Sequence, residues 1–67
     1  MTPKEHFKRA TVFATSGKAL SAIAEKQSDE RAALAVRNLA VGFFNRAVYE
    51  TACALKELAK ASTFSPQ

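Results

Sequence analysis

Little in this chain can crosslink, ligate a metal or react. Its 67 residues include one cysteine, one histidine, no tryptophan, two glycines and two prolines. Cys53 alone cannot form an internal disulfide, and His6 with Cys53 does not make the Cys/His set that holds structural zinc. A nucleophile pair from these two would also need an orienting group and an oxyanion site, and no glycine-rich loop exists to build one. The six acidic residues form no evident acid/base couple. No window approaches the ~20 apolar residues of a membrane span. Lys4, Glu5, Lys8 and Arg9 interrupt any apolar run of the kind a secretory signal needs. The expectation is a cytoplasmic protein that is not an enzyme and uses no metal, cofactor or membrane.

What is present is helical and small-sided. Hydrophobic content of 48% rests largely on alanine, which favours helix and close helix approach but buries little area per residue. A chain this short rarely makes a core that is stable alone. With disulfide and metal excluded, oligomerisation remains. Ten Lys/Arg against six Asp/Glu give a net charge of +4, which suits anionic partners, although a solvated basic surface is the commoner meaning.

The residues from Asp29 to about Ala61 contain no proline and read as one long helix. Ala33, Val36, Leu39, Ala40, Phe43, Phe44, Ala47, Ala54 and Leu58 gather on one side. Leu34, Val41, Val48 and Leu55 widen the apolar arc to roughly half the circumference, more than one antiparallel neighbour covers. Upstream, Thr2-Pro3-Lys4-Glu5 is a capping box with proline at the first helical position. It predicts a first helix over about 3–26, with Glu5 and Arg9 spaced for an ion pair. Gln27-Ser28-Asp29-Glu30 is the turn, Ser28 the expected cap, and a second helix follows over about 29–61 with a frayed tail at 62–67. A short turn makes the helices antiparallel neighbours. The expected architecture is therefore all-α, a single helical-hairpin domain over 1–67 that assembles into a homo-oligomeric helix bundle. Phe13, Leu39, Phe43, Phe44, Leu55 and Leu58 are the expected interface. Gly17 and Gly42, each unfavourable in mid-helix by about 1 kcal/mol, predict close backbone approach where they face, or a ligand or partner against bare backbone.

Two polar stripes are candidates for binding. Lys4, Lys8, Thr11, Thr15 and Lys18 share one face of the first helix, as a phosphate-binding strip or as ordinary solvated surface. Arg31, Asn38, Asn45, Tyr49 and Lys56 share a face of the second, where planar hydrogen bonding and a stacking ring suit phosphates and bases. Arg37 lies near the apolar side, so it either meets a carboxylate of another subunit or faces a pocket between subunits. The expected ligand-binding set is Arg31, Arg37, Asn38, Asn45, Tyr49 and Lys18.

Two families resemble this pattern. The start Met1-Thr2, the capped first helix, the short turn and the whole-chain hairpin resemble the plasmid repressor-of-primer family, dimeric four-helix bundles that bind paired RNA loops through their first helices. The run from Arg31 to Phe44, RAALAVRNLAVGFF, resembles the second helix of phage helical-hairpin proteins that oligomerise and sequester cyclic nucleotide signals of antiviral defence. That family's acidic pair after the second leucine is Ala40-Val41 here. The resemblances imply self-association and an anionic nucleotide ligand, with a protein target or RNA as the alternatives.

Overall fold

The computed structural model describes residues 1–63, with side chains to Ala61, as α1 (Pro3–Glu25) and α2 (Glu30–Thr63) packed into an antiparallel hairpin. Among the described residues there is no strand, and no helix is long and apolar enough to cross a membrane. Ser62 and Thr63, expected to fray, continue α2, while the rest of the expected tail lies outside the described residues.

The helix ends follow local chemistry. Thr2 accepts a hydrogen bond from the Glu5 amide at 3.2 Å, and the Glu5 carboxylate accepts from the Thr2 amide at 3.3 Å, completing the capping box. α1 ends one residue earlier than expected, with Lys26 donating to the Ile23 carbonyl. The start of α2 corrects the sequence reading, because Asp29 and not Ser28 caps it. The Asp29 carboxylate accepts from the Arg31 amide at 3.0 Å, as an N-cap side chain does for the second residue of a helix, and its charge opposes the positive end of the dipole.

The two helices meet along small residues repeated every seven positions. Ala10, Gly17 and Ala24 of α1 are buried, as are Ala33, Ala40 and Ala54 of α2, with Ala47 half-buried between the last two. Seven is two turns of helix, so each series lies on one line. Beside it run larger residues at the same interval, and these fix the register: Phe13 meets Phe43 with ring centroids 6.2 Å apart, and His6 meets Glu50. Seven residues forward on α1 thus match seven back on α2. This register sets Pro3 near Cys53 and Ala54 and leaves about the last ten residues of α2, roughly 15 Å, without an intrachain neighbour.

A pair of helices has no interior. The Cα extents are 58 × 16 × 14 Å, and among the described residues no large side chain is fully buried. Leu39 is 59% exposed, Phe44 39%, and Leu55 and Leu58 also stand open. Of the expected interface residues, Phe13 and Phe43 find the most cover within the hairpin, and Phe44 lays one side of its ring on Gly17.

The two glycines part company. At Gly17 an added Cβ would sit 2.9 Å from the Phe44 ring, so this glycine does permit close approach. Gly42 is exposed with nothing within 4 Å of such an atom, and the expected close approach there does not occur within the hairpin. Gly42→Ala should therefore raise stability by up to about 1 kcal/mol through helix propensity alone. Gly17→Leu should lower it by about 1–3 kcal/mol through overpacking. Thermal denaturation of both variants checks the contrast, and equal shifts would contradict this packing.

Candidate anion-binding site

The one buried charged residue among those described is Glu50, at 7% exposure. It occupies the seven-residue series Val36, Phe43, Glu50, Glu57 that faces α1, where an apolar side chain would ordinarily stand. His6 Nδ1 lies 2.6 Å from Glu50 Oε1, and Arg9 Nε lies 3.3 Å from Oε2. An ionised carboxylate only accepts, so the ring nitrogen donates. This overturns one expectation. Arg9 reaches across to Glu50 rather than pairing with Glu5, which is occupied at the cap. His6 faces Glu50, and Cys53, one turn on from Tyr49, holds the Tyr49 hydroxyl above its ordinary pKa.

Arg9 is also 5.9 Å from the centroid of the Phe13 ring, measured from its guanidinium carbon, and Arg46 stands at the same 5.9 Å. Two guanidinium groups are thus held within twice that distance of each other by one aromatic ring, in an arrangement stabilised by the ring quadrupole. Glu50 neutralises Arg9 in part. Arg46 has no carboxylate partner among the described residues.

Two hollows adjoin this cluster. One, of about 200 Å³, is lined by Leu39, Gly42, Phe43 and Arg46, and the other, of about 230 Å³, by Lys8, Arg9, Val12 and Phe13. Neither has an acidic residue in its wall. Gly42 contributes bare backbone to the first, which explains the opening there.

The residues expected to bind lie elsewhere. Arg31, Asn38, Asn45, Tyr49 and Lys18 are exposed, and none lines either hollow. Arg37 borders a third hollow near the turn whose wall includes Glu25 and Glu30, acidic surroundings that suit a cation better than a phosphate. The cluster of Arg9, Phe13, Arg46 and Glu50 was missed in the sequence. Its one available signal was the charge at position 50, next after Val36 and Phe43 in the series that faces α1. No group of three metal-ligating side chains occurs among the described residues. No family model, curated protein or solved structure matches this chain.

The Glu50 carboxyl is held below its ordinary pKa, first by the hydrogen bond from His6 and then by the Arg9 charge, against the opposing effect of burial. A depressed carboxyl pKa contributes stability that is present above the unfolded value of about 4.3 and lost as pH falls through the folded value. Glu50→Gln should therefore lower the melting temperature most between pH 5 and 7. The gap to wild type should close below about pH 4.3. A gap that stays constant with pH would remove the ion pair as its cause.

Proposed function

We propose that this chain is a non-catalytic, homo-oligomeric helical-hairpin protein that binds a small anionic nucleotide. The observation that carries the reading is Arg46, free of carboxylates, beside the bare backbone of Gly42 and sharing the Phe13 ring with Arg9. Guanidinium groups match phosphate oxygens with paired donors, and an aromatic pair with an open glycine offers a base a flat resting place. Each hollow alone is smaller than the ~300 Å³ of ordinary ligand pockets, so a nucleotide would span both. The Phe13–Phe43 pair would form its floor and the arginines its edges.

Binding without turnover agrees with the remaining groups. His6 is engaged by Glu50, so the one histidine does not stand poised to activate the Cys53 thiol. The biological role under this reading is sequestration of a nucleotide signal, as the resemblance of α2 to the phage hairpin proteins implies. Self-association is part of the proposal because a single hairpin leaves its larger apolar side chains open.

Calorimetry with nucleoside monophosphates and cyclic di- and trinucleotides tests the ligand. Arg46→Ala should weaken binding by about 1.5–3 kcal/mol, the loss of a charge-assisted phosphate contact. Lys18→Ala and Arg37→Ala should have little effect. No heat for the wild-type protein with any of these nucleotides would refute the reading.

A further inference from the structure

Leu34, Val41, Val48 and Leu55 lie at intervals of seven on α2 and are each between 51% and 68% exposed. One line of helix surface therefore carries four aliphatic side chains with no intrachain cover. The next row outward, Arg31, Asn38, Asn45 and Ala52, carries one charge, at its turn end. On the side toward α1 the stripe is bordered by Phe44 and Leu58, also exposed, and by a single cation, Arg37. A solvated helix face does not have this composition.

The stripe also reads the same in both directions. Leucine, valine, valine and leucine are placed symmetrically about the midpoint between Phe44 and Asn45. An antiparallel copy centred there would set Leu34 against the second copy's Leu55 and Val41 against its Val48. Both contacts would then recur by symmetry, as in an isologous two-fold interface.

Charge selects the same orientation. At the turn the acidic Glu25, Asp29 and Glu30 outnumber Lys26 and Arg31, while at the other end of α2 Lys56 and Lys60 outnumber Glu57. An antiparallel copy brings each lysine end beside an acidic turn, whereas a parallel copy sets like charges together and aligns the helix dipoles. The Lys60 contact with Glu57 is long, at 3.9 Å, and exposed, so it does not hold the lysine back. The overhanging end of α2 gains cover from the same arrangement.

We propose that this stripe is the docking surface for a second copy of the chain, α2 against α2 in antiparallel register about a two-fold axis near Phe44 and Asn45. The assignment rests on the self-association in the proposed function and supplies its geometry. At about 100° per residue, the row of Leu39 and Arg46 is turned about 140° from the stripe. Docking therefore leaves the arginine site open, and the dimer carries two of them.

Spin labels on Asn45→Cys and Asn38→Cys, each in a Cys53→Ala background, test the register. Two labels at position 45 should lie close together across the axis. Labels at position 38 should be displaced by an additional ~18 Å along the helices, twelve residues of rise. Val48→Lys should weaken association at least tenfold by sedimentation while leaving nucleotide binding to the arginine site in place. Equal distances at positions 38 and 45 would overturn the antiparallel register. Unchanged association of Val48→Lys would overturn this face as the interface, leaving the nucleotide reading standing. A wild-type monomer at micromolar concentration would sink both the dimer and the self-association on which it rests.

Discussion

The whole structure depends on the line of alanine and glycine between the two helices. Small residues every seventh position let the backbones approach, and at Gly17 the approach brings the Phe44 ring to where any side chain would begin. The same choice limits what the hairpin gains. Alanine removes little area from water, so the driving force available at roughly 25 cal/mol per Å² is modest for a chain that must also order some sixty residues. Close packing and weak burial are here two results of one composition.

Displacement of the large apolar side chains follows from that. With alanine filling the seam, the phenylalanines, leucines and valines are pushed to its flanks or beyond. Phe13 and Phe43 stay half-covered against each other, whereas Leu34, Val41, Val48 and Leu55 face outward. The two sides of α2 consequently differ in character. One presents an uncharged aliphatic line, and the other brings arginines over an aromatic pair, so the proposed dimer and the proposed ligand would not compete for surface.

Glu50 is the exception in the seam, and it organises its surroundings. A carboxylate at a helix–helix contact is unfavourable unless partnered, because desolvation penalises the charge. Here His6 and Arg9 from α1 meet it. Arg9 is thereby fixed against Phe13, while Arg46, approaching the same ring from α2, meets no carboxylate among the described residues. The ion pair also ties the open end of the hairpin, opposite the turn, where the capping box alone would not.

Much of the architecture was legible in the residue order. The capping box at Thr2, the break before Asp29, the absence of proline within α2 and the excess of apolar surface over what one neighbour covers all rest on short-range chemistry and helical period. Such features need no knowledge of what lies across the helix interface. The cap at Asp29 in place of Ser28 was a choice between adjacent acceptors, decided by where the first turn begins. The site was not legible, because its members stand far apart in the chain. Register alone brings position 50 to His6 and Arg9, and positions 43 and 46 to Phe13. The difference between the glycines has the same origin, since one faces the neighbouring helix and the other faces away. The sequence by itself determined two helices, the capped start of the first, the break between them and an unsatisfied apolar surface. Only the tertiary structure decided which charges meet and which glycine lies open, because both follow from the alignment of one helix against the other.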